Sequence, residues 1–171
     1  MDPYGTHLTV LSEIMKTLGA DCSVLEFGCG LNSTPLLVSK AREVTSVEMQ
    51  SVEWADKVAS LLNDCSDKLS LVRAIGAFAY KDVPLLFSKR YDLVLVDGHG
   101  DSRWAVANDC FSITDIIVLH DTEEPGYSWD KIVIPDGWRT ITYREVTPHT
   151  TVLTSNSNLM RLGPATLVAA Q

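Results

Sequence analysis

Val24-Leu-Glu-Phe-Gly-Cys-Gly-Leu-Asn-Ser-Thr-Pro-Leu-Leu37 is the stretch that decides how this chain is read. Val24, Leu25 and Phe27 form the short apolar run of a buried strand, and Gly28 and Gly30 can take dihedrals closed to other residues. Ser33 or Thr34 can cap a helix that has Pro35 in its first turn. A strand, a glycine turn and a helix N-terminus thus follow one another, and the free N–H groups and dipole of that helix end favour a carboxylate or phosphate. The glycines would let backbone approach such a ligand closely. A bare Gly-x-Gly also fits an ordinary strand-to-helix turn in which glycine serves compactness alone.

Working outward, Leu11, Ile14, Met15 and Leu18 repeat at helical spacing from Thr6 onward, and Gly19 is a natural stop. His7, at the start of that helix, reads as a surface or capping residue. After the central stretch, 35–40 is predicted as a short helix and 43–47 as a second strand ending at Glu48. A helix follows over 51–63 with Val52, Ala55, Val58, Ala59 and Leu62 on one face, and then a third strand over 69–73. A short helix over 82–88, a fourth strand over 91–96, a helix over 102–111 and a fifth strand over 115–119 continue the alternation. Strands this apolar are covered on both faces, as in a parallel sheet. Beyond Asp121 comes a Gly/Pro-containing stretch to Pro135, and then two β-rich runs, 139–145 and 150–154, predict an antiparallel hairpin closing the sheet. The reading is a single α/β domain over 1–171, doubly wound and mostly parallel: an N-terminal helix over 1–19, a cofactor-binding core over 20–155, and a tail over 156–171.

Global features narrow the function. A chain of 171 residues with 46% hydrophobic and 21% charged residues suits one soluble globular unit. The formal charge of −8 works against a nucleic-acid backbone as partner, because such binding leans on Lys and Arg. Cys22, Cys29, Cys65 and Cys110 form no C-x-x-C pair, which indicates neither zinc cluster nor disulfide framework. No signal peptide or membrane span is evident, so a cytoplasmic protein without membrane contact is expected.

In open α/β sheets ligands lie beyond the carboxyl ends of the strands. Those ends carry Glu26 to Gly30, Glu48, Ala74 to Ala77, Asp97 to Gly100 and His120 to Thr122. Glu48 stands twenty residues after Gly28, where a carboxylate accepts hydrogen bonds from ribose hydroxyls. Glu26, two residues before the first glycine, would repel a pyrophosphate and suit an ammonium group, and the pattern is Gly-x-Gly-x-x-Ser, without the third glycine of dinucleotide folds. His99 is the leading candidate for a general base and His120 its competitor. Arg103 and Trp104 read as a solvated arginine and a core tryptophan.

At Glu26-Phe-Gly-Cys-Gly30 and Val47-Glu48 the chain resembles the class I S-adenosylmethionine-dependent methyltransferases. The resemblance covers about residues 20 to 155 and implies a seven-stranded sheet with an antiparallel last strand. It also implies that Glu26, Phe27, Gly28, Cys29, Gly30 and Ser33 surround the amino-acid end of the cofactor and Glu48 its ribose. Met49, Ile75, Gly76 and Ala77 would face adenine, with Asp97 and Gly98 alongside. Val96-Asp-Gly-His-Gly-Asp101 and Leu119-His-Asp-Thr122 look like a small-molecule and sugar O-methyltransferase subgroup, related to enzymes that bind magnesium through carboxylates at these two strand ends. Here those are Asp97 and Asp121, with His99 and Asp97 as the catalytic pair; without metal, Asp97 would contact cofactor and substrate and Asp121 would cap the next loop. The expected partner is a small hydroxylated acceptor, and the terminal hairpin and tail could seat a second copy of the chain. A non-catalytic adenosine-cofactor-binding module that recruits a partner is the rival reading, and a nicotinamide oxidoreductase a weaker one.

Overall fold

A computed structural model describes residues 6–65 and 67–159. Helix α1 (Leu8–Leu18) precedes strand β1 (Ser23–Phe27), and helix α2 (Ser33–Lys40) leads to β2 (Glu43–Glu48). Helix α3 (Val52–Leu61), β3 (Leu69–Arg73), β4 (Leu93–Val96), α4 (Arg103–Cys110) and β5 (Ile116–His120) follow, then β6 (Arg139–Tyr143) and β7 (Thr150–Thr154). The seven strands form one sheet in the order β3-β2-β1-β4-β5-β7-β6. The first five are parallel, and β7 runs antiparallel to both β5 and β6. The strand order reverses between β1 and β4, which stay parallel, and the carboxyl ends of β1, β2, β4 and β5 share one edge, where α/β folds bind ligands.

Alternation along the central strands fills two apolar layers. Leu93 and Leu95 join Val24, Ile116 and Val118 under Leu11 and Ile14 of α1 and Leu37 and Val38 of α2. Val94 and Val96 join Leu25, Phe27, Ile117 and Leu119 under Val106, Ala107 and Cys110 of α4 and under Tyr80 and Leu86. All five residues of β1 and all five of β5 are buried, which explains their continuous apolar reading.

Three local expectations are corrected. The predicted helix over 82–88 is instead a pair of 3₁₀ turns, Ala79–Asp82 and Pro84–Phe87, because Pro84 lacks the N–H a longer helix would need. Strand β4 begins only at Leu93, and Asp92 just before it anchors that start to β1, donating its N–H to the Ser23 carbonyl at 2.9 Å and accepting the Ser23 N–H and hydroxyl on its carboxylate at 2.7 and 3.0 Å. Val52 is 44% exposed, so only Ala55 and Val58 of α3, with Leu62 just past it, join the core. Of the tail, Leu159 is buried, and 160–171 lie outside the described residues. Among the described residues no helix is long and apolar enough to cross a membrane.

Candidate functional site

The glycine turn is built on Glu26. Its carboxylate is fully buried within β1 and accepts from Ser33 Oγ at 2.6 Å, Thr34 Oγ1 at 2.7 Å and Ser46 Oγ at 2.5 Å. Thr34 Oγ1 in turn accepts the Gly30 N–H at 2.9 Å, so the carboxylate indirectly fixes the turn. Burial pushes the Glu26 pKa up to about 7, against the pull of the three hydroxyls. The hydroxyls of Ser33 and Thr34 are therefore turned to Glu26 and do not cap α2, which starts at Ser33 with no side-chain cap. Gly28 has φ +90°, and a Cβ there would lie 2.4 Å from the Asp97 carbonyl oxygen and 2.7 Å from Gly98 Cα. Its glycine is required first by the approach of the β4 end, before any ligand is considered.

At the end of β2, Glu48 accepts the N–H groups of Gln50 and Ser51 at 2.7 and 3.0 Å on one oxygen and the Cys29 thiol at 3.1 Å on the other. Burial and the Glu48 contact hold the Cys29 thiol protonated, well above its ordinary pKa. The Trp54 indole donates to the Cys29 carbonyl at 2.7 Å, tying α3 to the turn. A cavity of about 1010 Å³ runs from the turn and Glu48 to the ends of β4 and β5. Its wall includes four carboxylates, Glu48, Glu53, Asp97 and Asp121, against Lys57 and Arg103. That balance favours a cationic ligand.

Arg103 organises the far end. It is 5% exposed, and its guanidinium donates from Nε to the Gly98 carbonyl at 3.0 Å and from Nη1 to the His120 carbonyl and Asp121 Oδ2, both at 3.0 Å. Nη2 stands 3.0 Å from Asp97 Oδ1, and the group stacks on Tyr127 at 4.2 Å. Asp121 reaches this position from a left-handed backbone, φ +58°, which aspartate tolerates better than most residues. His120 Nδ1 lies 3.2 Å from Asp97 Oδ1 and 3.3 Å from Asp121 Oδ1. Burial alone would raise the Asp97 pKa, but hydrogen bonding from His120 and the Arg103 charge outweigh it and hold the carboxyl below its ordinary value.

The structure brings Gly28, Cys29, Gly30, Ser33, Glu48, Asp97 and Asp121 to one cavity wall. It places the other expected residues elsewhere. Glu26, Phe27, Gly98 and Met49 are buried behind the wall, and Ile75, 43% exposed, with Gly76 and Ala77 follows β3 outside the lining. His99 is half-buried outside the lining, its Nδ1 accepting the Asp101 N–H at 3.4 Å. Two side-chain readings are reversed. Arg103 is buried, and Trp104 is the partly exposed one, with Lys131 over its ring. His7 occupies the N-cap of α1 without a side-chain cap bond and, being 1% exposed, is no surface residue: it packs edge-on to His120 in the cavity wall, ring centroids 4.2 Å apart. Burial, and next the neighbouring His120, push its pKa down to about 4, so the ring is neutral at physiological pH.

The carboxylates expected to hold magnesium are bridged by a guanidinium and face imidazole. Magnesium takes oxygen ligands in a near-octahedral shell, and this donor set does not fit it. The residues around the turn do fit a sulfonium cofactor in their chemistry: an acid-rich wall, a strand-end carboxylate with acceptor capacity left, and a turn of backbone N–H groups.

No protein-family model matches the sequence, and no curated protein matches it. In three dimensions the chain is similar to an O-methyltransferase from Bacillus cereus in complex with SAH, with 14% identity, a TM-score of 0.68 and coverage of 90% of this chain and 81% of that one. It is similar also to the O-methyltransferase TomG from Streptomyces achromogenes in complex with SAM (15% identity, TM-score 0.67, 90% and 80% covered). An rRNA methylase from Streptococcus thermophilus matches at 12% identity and TM-score 0.65, over 85% of this chain and 93% of that one. The shared feature is the fold, the Rossmann-like architecture of class I methyltransferases.

Proposed function

We propose that this chain is an S-adenosylmethionine-dependent methyltransferase that acts on the hydroxyl of a small molecule or sugar. The observation that carries the reading is the single cavity joining the Gly28–Gly30 turn and Glu48 to the Asp97–Arg103–Asp121 cluster, which gives cofactor and acceptor one shared space. Its volume matches that of small-molecule sites. The O-methyltransferases among the structural neighbours support the same reaction type.

The cofactor would supply a methyl group already activated on a positive sulfur. Glu48 would accept hydrogen bonds from the ribose hydroxyls, three of its roughly four acceptor positions being taken by Gln50, Ser51 and Cys29. The N–H groups of the turn, held by Thr34 and Glu26, would lie along the amino-acid end. Asp97, kept ionised by Arg103 and His120, would accept the hydrogen bond of the acceptor hydroxyl, orient its oxygen toward the methyl carbon and take its proton as the methyl leaves the sulfur, which departs as a neutral thioether. Alignment of this kind supplies much of the acceleration of a displacement reaction. His99 lies outside the wall, away from the acceptor, and serves no base role in this reading.

Calorimetric titration with S-adenosylhomocysteine tests the reading. Binding in the micromolar range and its loss by more than about tenfold in Glu48→Ala, with folding checked by circular dichroism, are expected, given about 1.4 kcal/mol per decade. No binding to the wild-type protein refutes it. Binding with no methylated product from a panel of hydroxylated acceptors supports the rival reading, a cofactor-binding module that recruits a partner.

A further inference from the structure

We propose that His7, His120 and Asp97 form a binding site for a divalent first-row transition ion of the zinc or iron class, with Asp121 beside it and one position open to the cavity. One ring nitrogen of each histidine and a carboxylate oxygen of Asp97 lie within 4.8 Å of one another. Two imidazoles with carboxylate are the donor set of catalytic zinc and non-haem iron sites, and imidazole selects against magnesium.

Hydrogen-bond accounting around His120 leads there. The Thr6 hydroxyl has one proton and gives it to the Pro148 carbonyl at 2.9 Å, so at 3.0 Å it accepts from His120 Nε2–H. That contact fixes ring and tautomer in the way that outer partners of metal-bound histidines do. Nδ1 then faces Asp97 Oδ1 and Asp121 Oδ1, which can only accept, at 3.2 and 3.3 Å. Arg103 Nη2 meets Asp97 Oδ1 from one side, but His120 Nδ1 and Asp121 Oδ1 still need a proton on Nδ1 or a metal ion between them. Ligands about 2.1 Å from an ion are separated from one another by roughly 3.0–3.4 Å, so the spacing suits an ion.

His7 decides between the two. A proton on Nδ1 would satisfy His120 and both carboxylates but leave His7 with neither ring nitrogen bonded, in a side chain that is 1% exposed. Unpaired buried polar groups are costly and rare. An ion uses a nitrogen of His7 as a third ligand and accounts for both histidines at once. Arg103 shares Asp97 Oδ1, its Nη2 standing 3.0 Å from that oxygen, while its hydrogen bonds to Asp121 Oδ2 and to backbone carbonyls hold the carboxylates from behind and leave Asp121 Oδ1 clear.

The site shares Asp97 with the methyltransferase reading but does not depend on it, and it is tested without activity. Chelator-stripped, untagged full-length protein is titrated with Co2+ and its visible ligand-field absorption followed. One equivalent should bind, be displaced by Zn2+ and be unaffected by excess Mg2+. His7→Ala should weaken binding at least tenfold. In His7→Cys the ion should persist and gain a thiolate-to-cobalt charge-transfer band in the near ultraviolet, which reports ligation from position 7 even where His7→Ala fails to fold. Absence of stoichiometric Co2+ absorption, displacement by Mg2+, or a His7→Cys spectrum without the new band overturns the proposal and leaves a doubly protonated His120.

Discussion

Replacing Glu26 by Gln should change how stability depends on pH. In the folded protein burial of the Glu26 carboxyl near the end of β1 pushes its pKa up to about 7, against an ordinary value of 4.5. A raised acid favours the folded state while protonated. Its contribution is complete below pH 4.5, declines as pH rises because the folded form holds the proton longer, and is gone above pH 7. At about 1.36 kcal/mol per pKa unit the whole change amounts to about 3 kcal/mol. Glutamine stands in for the protonated acid, since the hydroxyls of Ser33, Thr34 and Ser46 can rotate to meet its amide, and it does not titrate. Urea unfolding of both proteins from pH 4.5 to 8.5 isolates this group, because the other titrating groups are common to both. Wild type should lose about 3 kcal/mol relative to Glu26→Gln over that range, mostly between pH 5 and 7, equivalent to roughly 6–12 °C in Tm for a chain of this size. A stability difference that stays flat within about 0.5 kcal/mol would show that water or a rearranged turn solvates the carboxylate, and would refute the burial argument.

Two further outcomes follow from the same wall. Arg103→Ala strands the Asp97 and Asp121 carboxylates beside an empty guanidinium site and should cost about 3–5 kcal/mol in urea unfolding; Arg103→Lys should recover less than half of that, because an ammonium cannot reproduce the fork that spans two strand ends. Gly28→Ala combines a contact of 2.4 Å to the Asp97 carbonyl with a positive φ and should cost about 2–4 kcal/mol by thermal or chemical unfolding without any ligand present. A loss below about 0.5 kcal/mol in that variant would mean that the β1 and β4 ends separate freely.

The fold was legible because its signals are local. Apolar runs at 24–27, 93–96 and 116–119 and the helical spacing of Leu11, Ile14 and Met15 are each set by neighbours in sequence, and the sheet repeats them five times before the hairpin. The failures lie at the ends of elements: Pro84 breaks a turn that periodicity alone extends, and Asp92, expected inside the strand, anchors its start to Ser23, a partner 69 residues away. Strand ends gave half of the site, since the position of a polar residue after an apolar strand fixes its place on the ligand-binding edge. They could not distinguish Glu48, which reaches the cavity, from Glu26, whose carboxylate is closed off by three hydroxyls, because that depends on how α2 and β2 pack around the end of β1.

Arg103 and His7 mark the limit differently. An arginine opening a helix sits at the positive end of the dipole, an unfavourable place for a cation, and that local penalty was a readable sign of a charged partner. Asp97 and Asp121 end adjacent strands about 4.8 Å apart, so two like charges there require a counter-charge within reach. Arg103, six residues after Asp97, was the nearest candidate in sequence. His7 carried no such sign: it precedes an ordinary amphipathic helix, and its neighbour His120 lies 113 residues on. Its significance arises only when α1 packs against the sheet and buries a neutral imidazole beside two carboxylates, a guanidinium and a second imidazole. A chain that needed only to neutralise Asp97 and Asp121 would be complete with Arg103 and a protonated His120. The added buried histidine, with both nitrogens unbonded, makes the cluster a ligand set as well as a charge balance.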